Sequence, residues 1–241
     1  MDRARWSSSF IGRTESYRET TSRGAYWRDS AVKVIVFGAT GGTGRQVVAQ
    51  VLEAGHEVTA VVRKPEALEV CHERLEIIRG DVLVPHSFEK SMLGHNAVIS
   101  ALGVTHRRPT TLYSEGTANL MKAMNDSGVR RLVCLSSAGL EIPENTPFMQ
   151  RIVIRLLVQR IYRNAYEDMA RMEAKVRSSG LDWTVIRPPR LTNGPRTGTY
   201  RTTVNQSLPG ARGIARADLA DCMIRRLFDN ETYRATMEIS Y

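Results

Sequence analysis

From Ala31 onward the chain alternates two kinds of pattern. Short, nearly continuous apolar runs rich in Val and Ile (VKVIVFG, VTAVVR, LEIIRGD, AVISALG, RLVCLSSAG, DWTVIRP and ATMEIS) are separated by longer stretches with apolar residues recurring at helical spacing. The helical stretches are Gly44–Ala54, Ser114–Ser127, about Phe148–Ser178 and Arg216–Phe228, with Gly or Pro punctuating their ends. A strand without polar alternation is buried on both faces, and a helix between two such strands returns the chain to the same end of the sheet. The pattern therefore predicts an α/β fold, a doubly wound parallel sheet with helices on both sides, formed by residues 31–241 as one domain.

Residues 1–30 break this pattern. They carry six arginines, no lysine, many Ser and Thr, and no sustained apolar period, and are expected to form a disordered basic tail. An organelle transit peptide is the alternative, opposed by Asp2, Glu15, Glu19 and Asp29; translation beginning near Val32 is another. The net charge of +9 favours anionic partners without choosing among them. Nucleic-acid binding would rest on that charge alone, because no platform of interleaved aromatic and basic residues supports it. The three cysteines, Cys71, Cys134 and Cys222, are odd in number and form no CxxC pair, so neither a disulfide framework nor a metal site is expected. With no apolar run near the roughly 18 residues of a spanning helix, the protein is expected in the cytoplasm, as a monomer or dimer.

The first strand runs into GATGGTG, with Gly38, Gly41 and Gly44 three residues apart and a helix immediately after. Gly38 permits the tight turn, Gly41 lets backbone approach a diphosphate, and Gly44 lets helix and strand pack closely. The first helical N–H groups then face the phosphates. Thr40, Gly42 and Thr43 complete this predicted loop of a Rossmann-like dinucleotide site. The second strand ends in Arg63 and Lys64, where an NAD-preferring site would carry an acid for the ribose hydroxyls. Cations there suit a 2′-phosphate, so NADP(H) is expected over NAD(H), with Arg45 as a second contact. Asp81 at the third strand end is a candidate for the adenine amino group, with Val82 lining the ring; a turn cap is the plainer role for Asp81. Ala101, Leu102 and Gly103 follow the fourth strand and are expected against the dinucleotide.

The fifth strand delivers Ser136 and Ser137 to the same cleft, near the expected nicotinamide. Alcohol dehydrogenation would call for a tyrosine with a lysine four residues on, the lysine lowering the phenol pKa. Tyr162 and Tyr166 lie at a plausible distance, but the residues four further on are Tyr166 and Ala170. What remains is hydride transfer to a small-molecule acceptor needing little acid catalysis, such as a flavin, quinone or conjugated tetrapyrrole. A sugar-nucleotide epimerase or dehydrogenase loses support with the missing pair. The stretch 148–166, with four arginines and no acid, reads as a crossover helix, a lid, a dimer surface or a segment touching anionic membrane.

Together VFGATGGTG, PTTLYSEGTANLMKAM, SSAGL, SSGLDWTVIRPPRL and IARADLADCMIRRL resemble the atypical short-chain dehydrogenase/reductases of the NmrA-like, NAD(P)-binding type, most of all the flavin reductase/biliverdin reductase B family. The resemblance covers essentially Val32 to Tyr241. It implies an NADPH-binding domain that reduces flavins and related acceptors, with Ser137 as the serine beside the nicotinamide and Pro188 and Pro189 as the segment whose backbone fixes the carboxamide. The family's active-site histidine aligns with Glu173. Glu173 is thus a candidate acid, or an ion-paired structural group near Arg190, and Tyr166 a further catalytic candidate. NmrA-like proteins also imply a second reading, a redox sensor that binds NADP(H) without turnover.

Overall fold

A computed structural model describes residues 31–141, 149 and 159–241. Ten strands and four helices longer than one turn are seen among them. The strands are β1 (Lys33–Phe37), β2 (Glu57–Val62), β3 (Leu75–Arg79), β4 (Ala97–Ser100), β5 (Arg131–Leu135), β6 (Asp182–Arg187), β7 (Leu191–Thr192), β8 (Arg201–Val204), β9 (Ile214–Ala215) and β10 (Ala235–Ser240). The helices are α1 (Gly42–Glu53), α2 (Ser114–Ser127), α3 (Arg163–Arg177) and α4 (Arg216–Arg225).

Eight strands form one sheet in the order β3-β2-β1-β4-β5-β6-β10-β8, parallel throughout except for β8, which runs antiparallel to β10. The doubly wound sheet expected from the apolar runs is present, and its seven parallel strands are the seven runs. The chain moves outward from β1 through β2 to β3 and then returns to β4 on the other side of β1, so the topological switch point lies between β1 and β4. β8 was not legible: RTTV exposes both ends and buries no face fully, so it lacks an apolar run, and its pairing depends on β10 being in place. The two-residue strands β7 and β9 pair with each other alone.

Side chains alternate across each strand. On one face Ile35, Phe37, Val61, Val98, Leu132 and Trp183 meet Leu120 and Met124 of α2 and Met172 and Val176 of α3, with Phe37 and Phe88 packed edge to face at 5.0 Å. Their neighbours Val34, Val36, Ile99, Val133 and Ile186, all fully buried, face the opposite way, where α1 and α4 pack together; there Gln50 Nε2 donates to Ala217 O at 2.9 Å. Each fully buried side chain of this size contributes roughly 1.5–3 kcal/mol, so the sheet edge that carries the site rests on a core closed on both sides.

Two buried charges fix helix positions. Arg131 in β5 donates to the carbonyls of Arg226 and Leu227 just past the end of α4, lies 4.5 Å over the Tyr233 ring, and has its pKa lowered by burial to about 10. A cation at a helix C-terminus is favourable. Asp168 of α3, fully buried, accepts from the backbone N–H groups of Tyr113 and Ser114 and from the Ser114 hydroxyl. It thereby caps α2 from a different helix, where α2 has no local side-chain cap. Asp168→Ala would leave three buried donors unpaired and is expected to cost about 2–4 kcal/mol, read as a lower urea midpoint; an unchanged midpoint would show that the α2 terminus is satisfied otherwise.

Candidate functional site

At the end of β1 the chain turns at Gly38, whose φ is +77°, and α1 begins at Gly42. Two of the glycines here leave no room for a side chain. A Cβ on Gly44 would lie 2.1 Å from the Gly38 carbonyl oxygen, and one on Gly38 would lie 2.4 Å from the Ala101 carbonyl oxygen at the end of β4. The loop therefore sits on the switch point itself. The first intrahelical bond runs from Arg45 N–H to Gly41 C=O at 2.9 Å, and α1 has neither a side-chain cap nor an acid in its first turn. The amides of Gly42, Thr43 and Gly44 are left as donors at the positive end of the helix, an arrangement suited to a diphosphate.

The remaining predicted residues lie at the same carboxyl edge of the sheet, with the following local partners. Arg63 and Lys64, directly after β2, are exposed, and their side chains have no hydrogen-bond or ion-pair partner among the described residues. Arg45 does not lie free to join them: its Nε donates to Thr40 O at 3.1 Å and its Nη2 to Ala67 O at 2.6 Å. That ties the glycine loop to the turn after Arg63 and Lys64. Asp81 Oδ1 accepts from Leu83 N–H at 3.0 Å, the turn cap weighed above, while Val82 C=O accepts from Asn119 at 3.0 Å. Ala101 is buried, Leu102 half-buried and Gly103 exposed. Pro188 is buried, with its carbonyl accepting from Ala138 N–H at 3.0 Å, and Pro189 is half-buried.

After β5, Ser136 Oγ is buried without a hydrogen-bond partner. The next hydroxyl, Ser137 Oγ, accepts from Gly139 N–H at 3.2 Å and faces the Tyr166 phenol of α3, whose pKa is raised by burial and by the adjacent Tyr162 despite the influence of Ser137. A Cβ on Gly139 would fall 2.3 Å from the Tyr166 hydroxyl oxygen, so Gly139, absent from the predicted set, gives the phenol its seat. No lysine accompanies the pair: Ala170 stands four residues after Tyr166. The nearby Cys134 thiol is pushed up to about 12 by burial and is no nucleophile at neutral pH.

Glu173 is engaged elsewhere. Its carboxylate accepts from Arg187 Nε at 2.8 Å and Nη2 at 2.6 Å, and from Arg177 Nη2 at 3.0 Å. Burial lowers the Arg187 pKa, but hydrogen bonds to Glu173 and Glu141 outweigh this and raise it above its ordinary value. Glu173 thus joins α3 to the end of β6 as an ion-paired group, with Arg187 where Arg190 was expected. Most of the stretch 148–166 lies outside the described residues. A separate cavity of about 550 Å³, lined by Lys33, Glu57, Thr59, Arg74, Glu76 and His95 among others, opens toward the amino ends of the strands, away from the glycine loop. In open α/β sheets ligands bind at the carboxyl ends, so the edge with the amides is the candidate site.

Residues 38–230 match the NAD(P)H-binding family. The chain belongs to that family. A chloroplastic protein of Arabidopsis thaliana is 30% identical over 249 aligned residues, covering 96% of this chain and 86% of its own. A (4-alkanoyl-5-oxo-2,5-dihydrofuran-3-yl)methyl phosphate reductase of Streptomyces griseus is 30% identical over 79% of this chain, which spans 57% of that protein. Among solved structures, ChuY, an anaerobilin reductase of Escherichia coli, superposes with a TM-score of 0.66 at 19% identity, covering 86% of this chain and 96% of its own, a likeness of fold. The residues present fit the family's nucleotide on two structural grounds: a loop that side chains would fill, and the unpaired Ser136 hydroxyl at the same edge. Among the described residues no cluster suits a metal ion and no helix is long and apolar enough to cross a membrane.

If Glu173 is structural, Glu173→Ala should cost about 2–4 kcal/mol by leaving Arg187 with only the exposed Glu141, seen as a lower thermal midpoint. Unchanged stability would return Glu173 to the list of free acids.

Proposed function

We propose that the protein is an NADPH-dependent reductase that passes hydride to a flat conjugated acceptor of the flavin, quinone or tetrapyrrole kind. The observation that carries this reading is the Ser137–Tyr166 pair without a lysine. A phenol whose pKa burial raises stays protonated across neutral pH, so the pair can orient a ligand by hydrogen bonds but cannot take a proton from an alcohol. Such a site suits an acceptor whose ring delocalises the incoming charge while solvent supplies the proton. When bound, the reduced nicotinamide supplies the hydride. The chain's part is to hold and orient: the amides of Gly42 to Gly44 for the diphosphate, Arg63 and Lys64 for the 2′-phosphate, Asp81 and Val82 beside the adenine, and Ala101 to Gly103 along the dinucleotide. Ser136, Ser137, Pro188 and Pro189 take the nicotinamide end. The loop leaving β4 at this edge also exposes His106, Arg107 and Arg108 and is tied to α3 by Asn164 Nδ2 donating to Arg107 O at 2.7 Å, which suits an acceptor bearing carboxylate or phosphate.

The reductase relatives support this class. The same absence of a titrating acid favours a second reading, an NADP(H)-binding sensor without turnover. The cytoplasmic expectation stands on the lack of a long apolar run in the sequence, whereas the chloroplastic relative favours the transit reading of residues 1–30.

NADPH consumption at fixed protein concentration, with a panel of FMN, a soluble quinone and biliverdin, separates the two. Turnover with at least one acceptor is expected, and tight NADPH binding with a flat absorbance trace for all three would select the sensor. Arg63→Ala should weaken NADPH binding about tenfold while leaving NADH nearly unchanged, since about 1.4 kcal/mol is within the range of one charge-assisted phosphate contact. Equal losses for both nucleotides would reject Arg63 as the phosphate ligand.

A further inference from the structure

The three-residue glycine spacing accounts for Gly38, Gly41 and Gly44 but not for Gly42. The structure shows what the missing side chain at 42 makes room for. A Cβ there would lie 2.7 Å from Cδ and 2.9 Å from Nε of Arg216, the first residue of α4. The Arg216 side chain therefore lies across the start of α1, beside the amides of Gly42 to Gly44, held by its Nη1 donating to Asn193 Oδ1 at 2.6 Å.

This placement is electrostatically odd. A cation beside a helix N-terminus is disfavoured, because the exposed amides already carry partial positive charge. Here the guanidinium stands at two such termini, that of α1 and that of its own helix, and no acid occupies the first turn of α1. The acids of α4 do not answer it: Asp218 accepts from Thr197, Gly198 and Tyr241, and Asp221 from Tyr200 and Arg225. The other end of the same helix follows the rule, with Arg131 on its carbonyls. An arginine kept among donors by a neutral asparagine is an arrangement completed by an anion.

We propose that Arg216 is a diphosphate-binding residue, adding its guanidinium to the glycine-loop amides at the start of α1. The inference rests on the dinucleotide reading of that loop and adds to it a contact 174 positions away in sequence, contributed by a helix that the glycine motif does not include. Because the diphosphate is common to both nucleotides, Arg216 contributes affinity without selecting between them, whereas Arg63 is assigned the selection.

The test is calorimetric titration of NADPH and of NADH into the full chain, as wild type, Arg216→Gln and Arg216→Lys, with melting curves recorded without nucleotide. Arg216→Gln is expected to lose about tenfold in affinity for both nucleotides, about 1.4 kcal/mol each, and to melt without nucleotide at the wild-type temperature or above it. Arg216→Lys is expected to retain most of the affinity. Nucleotide affinities of Arg216→Gln within about twofold of wild type would overturn the assignment, as would a lowered melting temperature without nucleotide, which would make Arg216 a structural tie to Asn193. If wild type itself bound neither nucleotide, the reading of the glycine loop would fall first and this inference with it.

Discussion

The close approach between the end of β1 and the start of α1 is the constraint on which the rest of the site depends. Gly44 packs its Cα against the Gly38 carbonyl, and Gly38, in the left-handed region, packs against the carbonyl of Ala101. With any side chain at these positions the helix would have to move away from the sheet. Because it does not, three unpaired amides are delivered to the switch point between β1 and β4, where the strand order leaves a crevice. Arg45 then draws in the turn beyond β2, and Arg216 lies over Gly42 from α4.

How the remaining polar groups are used decides what kind of chemistry fits. Near Ser137 the side chains at the end of the cleft are tied into the fold. Tyr166 is kept a phenol by burial, Cys134 a thiol, and Glu173 is held by two arginines. Replacing the histidine of the resembled family by an ion-paired glutamate exchanges a group that titrates near neutrality for one that anchors α3 to β6. These ties orient the side chains at this edge, consistent with the proposed class of acceptors whose own electronic structure carries the charge.

Much of the fold was legible because its determinants are local. Strands buried on both faces read as apolar runs, the helix Ser114–Ser127 ends at Gly128 in the left-handed conformation, and GATGGTG names its own turn. What was not legible depends on contacts between distant positions. Nothing in ATMEIS announces that RTTV will pair with it, Asp168 caps a helix 54 residues earlier, and Glu173 finds Arg187 rather than Arg190. For Glu173 the sequence allowed two uses of one carboxylate, and only its neighbour Arg187 shows the ion-paired one. Gly139 and Arg216 were missed for the same reason, since each matters through a side chain or backbone that folding brings alongside.

The central claim, that backbone amides at the start of α1 hold a dinucleotide diphosphate, is read most directly by following the ¹H–¹⁵N resonances of Gly42, Thr43 and Gly44 as NADPH is added. The account predicts that these three amides shift downfield together and saturate at one nucleotide per chain, among the largest changes in the spectrum. Saturable binding that leaves all three in place, or no binding at all, would contradict it.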